Sequence, residues 1–209
     1  HGSVDLRKNF NLIQVQAKID TALLHNLNLT SKQIFLHAVV DINTKGLHLD
    51  SLTGTADVKD FTIHYNENRL SLPQIHIKAD RKENERSIRI ESTLIDAETH
   101  GDFLITDISQ DIQKLVHEIL LNIKNDKQAI SEYYANQTYR PKSYEAFFNI
   151  NLKNIDPLVD LLAVDLLVSE NTHVEGKFSS GRTSILQAYS RVDSLAYNKS
   201  LFIDTEVEL

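Results

Sequence analysis

The chain has 209 residues, of which 41% are hydrophobic and 24% charged, a balance typical of a folded globular protein rather than a disordered one. Six glycines and three prolines exclude collagen-like and linker-rich chains. The net charge of −7 argues against a nucleic-acid binder, whose surface is normally basic. Because cysteine is absent, a disulfide framework, a thiolate metal site and a cysteine nucleophile are excluded. No apolar run is longer than Leu161–Val164, far short of the roughly 20 residues that span a bilayer.

The two ends of the sequence indicate a piece of a longer protein. Residues 1–3 are typical of a tag remnant, and the last residues stop within an alternating pattern. We expect residues 4–209 to form a single segment. It would consist of a first β-repeat over about 4–105, a helix over about 107–135 and a second, partial repeat over about 145–209.

Alternation of apolar and polar residues dominates the chain. In residues 34–43 every second residue is apolar, and His37 and Asp41 lie in the opposite phase. Because side chains of a strand point to alternate faces, this segment is a strand with one apolar face. The period recurs in roughly eleven to thirteen segments up to residue 207, with a phase slip between Val58 and Phe61. Short polar turns predict antiparallel pairing of neighbouring strands.

Three of these strands contain a glycine, at Gly54, Gly101 and Gly176. A glycine inside a strand weakens it, so its recurrence indicates a bulge, a bend or a close approach of the backbone.

A first helix is predicted over about residues 107–124, with Thr106 or Asp107 as its N-cap. Its apolar stripe repeats every 3.6 residues and consists of Ile108, Ile112, Leu115, Val116, Ile119, Leu120 and Ile123. The stripe either packs on the sheet as ordinary core or lies over the groove described below as a plug or gate.

Weaker helical character continues through Ile130 to Tyr134, and residues 136–145 are predicted to be a loop. A second, short helix is predicted over about 156–163, with Asp156 as N-cap and Pro157 in the first helical position, which tolerates its missing N–H.

A sheet with one apolar face must bury that face against something. A second sheet would give a filled β-sandwich. The other solution is a mainly β, antiparallel, strongly bent open sheet, a groove or half-pipe whose apolar side is only partly filled. The aliphatic character of the apolar positions, with no tryptophan or methionine, favours the groove, because such a lining suits acyl chains.

The order and spacing of several stretches resemble a known family. These stretches are residues 50–58, 70–77, 87–97, 100–103, 108–123, 147–152, 155–158 and 172–178. They include Asp50-Ser-Leu-Thr-Gly54-Thr-Ala56-Asp-Val58 and Thr172-His-Val-Glu-Gly176-Lys-Phe178. Together they cover nearly the whole chain, which resembles a periplasmic repeat segment of the AsmA-like, TamB-type proteins of Gram-negative bacteria, in the form found in Bacteroidetes.

The resemblance implies a protein anchored in the inner membrane by an N-terminal helix and extending across the periplasm as a β-taco with a hydrophobic interior. It implies roles in phospholipid transport and outer-membrane biogenesis and, with an outer-membrane partner of the Omp85 type, in the assembly of outer-membrane proteins. This segment lacks the anchor helix and the C-terminal partner-binding domain, so contact with that partner is expected from other parts of the full-length chain.

We therefore expect a non-enzymatic lipid groove with no cofactor, no metal and no nucleic-acid partner. The nine histidines are scattered and form no His-Glu-x-x-His motif, so they are interpreted as solvated strand residues. No Gly-x-Ser-x-Gly nucleophile elbow occurs. The expected groove lining consists of Ile34, Leu36, Ala38, Val40, Ile42, Ala56, Val58, Ile63, Ile75, Ile77, Ile88, Ile90, Phe148, Ile150 and Leu152. The alternative is a filled β-sandwich that acts as a structural or adhesive interaction domain of a cell-envelope protein.

Overall fold

The computed structural model describes residues 2–5, 12–23, 34–46, 48–65, 67–124, 127–135, 143–181, 185–197 and 200–208. Its strands are β1 Gly2–Asp5, β2 Leu12–Leu23, β3 Ile34–Lys45, β4 Thr53–Tyr65, β5 Asn68–Lys82, β6 Glu85–Ser92, β7 Ile95–Gly101, β8 Tyr144–Leu152, β9 Leu166–Val168, β10 Thr172–Ser180, β11 Ile185–Tyr197 and β12 Ser200–Glu208. Its helices are α1 Ile105–Lys124, α2 Lys127–Ala135 and α3 Asp156–Leu162, with one 3₁₀ turn at Leu49–Ser51.

All twelve strands belong to one antiparallel, open sheet that is not closed into a barrel. Consecutive strands are neighbours from β1 to β8, and β10, β11 and β12 follow in that order. The short β9 pairs with the end of β11 beyond β10. The predicted open, mainly β architecture is confirmed. The two-sheet sandwich is not found among the described residues, because no strand there belongs to a second sheet.

The predicted phase slip is confirmed, and it lies at Asp60 of β4. This residue has a φ of 51°, in the left-handed region that L-residues rarely adopt. On one side of it Val58 pairs with Ile75, and on the other side Phe61 pairs with Leu72. The apolar positions of β4 thus change from even to odd numbers at Asp60, which keeps the apolar residues of both halves on one side of the sheet.

The strand glycines allow close approach of neighbouring strands, as predicted. Gly101 has a φ of 154°, and a Cβ atom placed there would lie 2.0 Å from the carbonyl oxygen of Glu145. A Cβ at Gly176 would lie 2.1 Å from the carbonyl oxygen of Gln187 and 2.6 Å from the ring of Phe148. No side chain fits at these distances, so glycine is required where β7 and β10 meet their neighbours.

The helix α1 begins two residues before its predicted start, and the predicted caps are wrong. Thr106 and Asp107 lie inside the first turn. The capping group is instead the carboxylate of Asp50, which accepts hydrogen bonds from the backbone N–H and the hydroxyl of Thr106 at 2.9 and 2.8 Å. Asp50 is 56 residues away in the chain, so this cap depends on the tertiary structure.

The weaker helical stretch predicted through Ile130 to Tyr134 is found as α2, and the predicted short helix is confirmed as α3. The N-cap of α3 is Ile155 rather than the predicted Asp156. The backbone N–H of Asp156 donates a hydrogen bond to the side-chain oxygen of Asn154 at 3.2 Å. The end of the predicted loop is wrong, because β8 already begins at Tyr144, whereas residues 136–142 lie outside the described residues.

Candidate functional site

The apolar face of the sheet carries one continuous row of residues that crosses ten strands. Each member pairs directly with the next, so all side chains of the row lie on one face. This central row consists of Val15, Ile42, Ala56, Ile77, Ile90, Ala97, Ile150, Val174, Ser190 and Val207. With strands about 4.8 Å apart, the row is about 43 Å long. Its one polar member, Ser190, donates its hydroxyl to the carbonyl oxygen of His173 at 2.7 Å, so the hydroxyl already has a partner within the sheet.

On one side of the central row the start of α1 packs against the apolar face. The α1 cluster consists of the buried residues Phe103, Ile108, Tyr144 and Ala146, with Ile88 and Phe178 packed against them. Ile88 lies one row away from Ile90 on the same strand. The first turn of α1 therefore packs on the sheet beside the central row, through Ile108.

On the other side, α3 packs against the same face. The α3 cluster consists of the buried residues Leu70, Leu72, Leu94 and Leu161, with Phe61, Ile63, Tyr65, Ile75, Ile95 and Leu158 packed against them. The side chain of Asn68 donates to the carbonyl oxygen of Asp160 at 2.9 Å, which ties α3 to β5. The packed core thus lies at both ends of the strands rather than at their centre.

Between the two clusters the central row forms the floor of a furrow. Its aliphatic members belong to neither cluster and are half-buried rather than buried. The rows through Ile75 and Ala79, which border the floor, are about 14 Å apart along the strand. No second sheet covers this floor within the described part of the chain. The furrow is therefore an apolar surface that is open to solvent or to a guest.

The structure brings the fifteen predicted lining residues onto one face. Ile42, Ala56, Ile77, Ile90 and Ile150 lie in the central row. Val40 and Val58 pair with one another beside it, as do Leu36 and Ile63 farther along the strands. Ile34 pairs with Tyr65, Leu152 with Ile95, and Phe148 with Thr99.

Four of the predicted residues are not part of an open wall. Ile63 and Ile75 pack in the α3 cluster, and Ile88 packs in the α1 cluster. Ala38 is 2% exposed. These residues hold the fold together, and the open part of the lining is the central row with its immediate neighbours.

Sequence reasoning missed Val15, Ala97, Val174 and Val207 as members of the central row. Each lies in an alternating segment, so the pattern marked them as strand residues with an apolar phase. Their place in the row depends on the register between strands, such as Ala97 with Ile150, which alternation alone does not specify.

The beginning of α1 is fixed to the sheet by charged groups. Burial acts to raise the pKa of Asp50, but hydrogen bonds from Thr106 and Ile105 and the positive charge of Arg86 outweigh it and hold that pKa below its ordinary value. Arg86 is 1% exposed and donates to the carbonyl oxygens of Asp50 and Leu52. One buried guanidinium thus organises the connection between β3 and β4 on which α1 docks.

A second anchor holds the next turn of α1. Asp111 is 7% exposed and accepts hydrogen bonds from the Tyr144 hydroxyl at 2.9 Å and the Ser180 hydroxyl at 3.1 Å. Directly after this anchor Ile112 is 50% exposed, so the predicted stripe is not wholly buried. The side chains of Val116, Ile119, Leu120 and Ile123 lie outside the described residues.

The opposite face of the sheet is mostly polar. His76 shares a hydrogen bond of 2.9 Å with Asp57, which holds the pKa of that carboxyl below its usual value. His37 bonds the carbonyl oxygen of Asp20, and His100 stacks on Phe147. Within the described residues, no group of three histidine or acidic side chains is placed to hold a metal ion.

Aliphatic side chains offer dispersion contacts and no nucleophile, acid or base, so the central row presents a surface suited to apolar contact. Comparison with family models, with curated proteins and with solved structures returned no match. No helix in the described residues is both long and apolar enough to cross a bilayer.

Proposed function

We propose that the chain is a non-enzymatic module that carries lipid acyl chains in the furrow between α1 and α3. The observation that supports this is the central row, an aliphatic surface about 43 Å long. Its middle part, from β4 to β10, lies between two packed clusters and belongs to neither. One leaflet of a bilayer has a hydrocarbon depth of about 15 Å, so the furrow exceeds the length of an acyl chain and allows displacement along it.

The energetics favour movement of an acyl chain along the furrow over tight binding at one position. Full burial of a methylene group is worth about 0.8 kcal/mol, so a chain that lies on an open floor gains on the order of half of that for each methylene. Because the central row is aliphatic apart from Ser190, whose hydroxyl is already bonded, no position along the row binds the guest much more tightly than the next. The headgroup remains in water at the mouth of the furrow.

With the resemblance to TamB-type proteins, we extend the proposal to the whole protein. It would be a periplasmic conduit anchored in the inner membrane that moves phospholipid during outer-membrane biogenesis. Other parts of the chain would contact an outer-membrane partner of the Omp85 type.

The test places charges on either face of the same sheet. The double variant Ile77→Glu/Ile150→Glu introduces two carboxylates into the central row, and Asn43→Glu/Asn151→Glu introduces two on the polar face. Binding is measured with cis-parinaric acid, whose fluorescence is easily read because the chain has no tryptophan, and by mass spectrometry of co-purified phospholipid.

We expect the furrow variant to lose at least tenfold in affinity for the fatty acid, since desolvating a carboxylate beside an acyl chain is unfavourable, and to lose its phospholipid. The polar-face control should keep both. Unchanged binding in the furrow variant, with its circular dichroism spectrum intact, would refute the proposal.

A further inference from the structure

Strand β12 forms one edge of the sheet and carries exposed apolar side chains. It pairs with β11 on one side, and no strand among the described residues pairs with its other side. Leu201, Phe202 and Ile203 are 63%, 46% and 70% exposed, and all residues from 200 to 204 are exposed. An edge of this kind is a template for pairing with a further strand, because its outer N–H and C=O groups are available.

The apolar side chains lie on both faces of the sheet at this edge. Two neighbouring rows of directly paired residues, one on each face, consist of Leu167, Ala196 and Leu201 and of Val168, Leu195 and Phe202. Leu167 of β9 is itself 58% exposed. Contiguous exposed apolar surface marks an interaction site, and its combination with an unpaired strand edge indicates addition of a strand.

The remainder of β12 restricts which strand can be added. Asp204, Glu206 and Glu208 make this half of the strand acidic, although Arg191 pairs with Asp204 at 2.9 Å. Asp204 also has a φ of 50°, in the left-handed region, which interrupts the regular strand. The uncharged and regular part of the edge is therefore residues 200–203. Its occupant must be a short strand with large apolar side chains at consecutive positions.

The same segment of a second copy meets this requirement. We propose that two copies of the chain associate through β12, in an antiparallel pair with two-fold symmetry centred on Phe202. Phe202 then stands opposite Phe202 of the partner subunit, and Leu201 stands opposite Ile203 of the partner subunit. Both copies use the same patch, as a two-fold interface requires. None of these residues belongs to the central row, so the proposal does not depend on lipid binding.

Charge selects this register over its neighbours. A pair centred on Asp204 would be longer, but it would set two Asp204 carboxylates directly opposite one another, which is destabilising. A pair centred on Ile203 would set Asp204 against Phe202. In the register centred on Phe202, the two Glu206 side chains are eight residues apart along the strands, or about 26 Å. That separation exceeds the screening length of about 8 Å at physiological salt.

The first test measures the state of association by sedimentation velocity. Three apolar side chains from each copy make an interface smaller than the roughly 800 Å² per partner of stable complexes, so we expect a Kd on the order of 100 µM. The chain should be monomeric at about 5 µM and mainly dimeric at about 500 µM. Ile203→Lys should weaken association at least tenfold, because a lysine on an edge strand opposes pairing. The matched control is Ile185→Lys, at a residue of β11 that is 53% exposed and outside the patch, and it should associate as the unchanged chain does.

The second test reports the register through single thiols, because the chain contains no cysteine. Phe202→Cys places two thiols on directly opposed residues, whose Cα atoms are about 4.5–5.5 Å apart, within the range of a disulfide. Copper–phenanthroline oxidation should therefore crosslink this variant. Ser200→Cys places its two Cα atoms about 14 Å apart and should remain uncrosslinked.

Four results would overturn the proposal. They are a monomer at both concentrations, assemblies larger than a dimer, association of Ile203→Lys as strong as that of the unchanged chain, and crosslinking of Ser200→Cys as fast as that of Phe202→Cys. Larger assemblies would mean that β12 pairs with a different edge of the next copy, since a two-fold pair closes on itself. Circular dichroism of each variant verifies that the fold is unchanged.

Discussion

Two alanine substitutions on the same strand can distinguish a side chain in the packed core from one on the open floor. Leu72 and Ile77 both lie on β5, but Leu72 is 7% exposed in the α3 cluster, whereas Ile77 is half-buried in the central row. Each change to alanine removes three carbon atoms, which are worth about 2.4 kcal/mol when fully buried. The substitutions are therefore matched in chemistry and differ in what surrounds the side chain.

The expected losses follow from that difference. Leu72→Ala should lower the free energy of unfolding by about 3–4 kcal/mol, because a cavity left under α3 adds to the lost transfer free energy. Ile77→Ala should cost about 1.5–2 kcal/mol, since part of the side chain is already exposed and solvent or guest fills the space left. At about 2–4 °C for each kcal/mol in a protein of this size, the thermal midpoint should fall by roughly 6–16 °C and 3–8 °C.

Urea unfolding followed by circular dichroism measures both losses as changes in midpoint at constant slope. A loss for Ile77→Ala that equals or exceeds the loss for Leu72→Ala would mean that the central row is packed against a covering layer. That result would remove the physical basis of the open furrow.

Three further perturbations test how α1 and the bent strands are held. The pKa of Asp50 is held below 3.8 in the folded state, so its stabilising contribution is present above pH 4 and lost as pH falls through the lower folded value. Asp50→Asn should therefore flatten the acid limb of a stability–pH profile, and an unchanged limb would contradict the cap. Gly101→Ala should destabilise by more than about 2 kcal/mol, because its Cβ would meet the carbonyl oxygen of Glu145; a neutral effect in urea unfolding would refute the close approach. Tyr144→Phe leaves Asp111 with one hydrogen bond fewer and should lower the free energy of unfolding by about 1–3 kcal/mol. In this variant, hydrogen exchange should be faster in the first turns of α1 than in β5.

The positions of the strands could be read from the sequence because alternation is a local property. The side-chain period of two is imposed by each strand's own backbone, and residues 34–43 illustrate it. The phase slip at Asp60 was equally visible, since Val58 and Phe61 occupy opposite phases of one apolar pattern.

The ends of the helices were harder to predict from the sequence. The predicted caps Thr106 and Asp107 are chemically suitable residues, but Asp50, which does the capping, arrives from a distant turn. A carboxylate 56 residues away leaves no local signature. The Tyr144 and Ser180 partners of Asp111 are equally remote in sequence.

The sequence by itself determined the elements, the apolar phase of each strand and the aliphatic character of one face, because these depend on neighbouring residues only. The tertiary structure alone decided the pairing of strands that no short turn joins, such as β7 with β8. It also decided which residues stand opposite one another, and that the start of α1 and α3 pack at the ends of the strands beside the central row. Those features follow from inter-strand register and long-range hydrogen bonds.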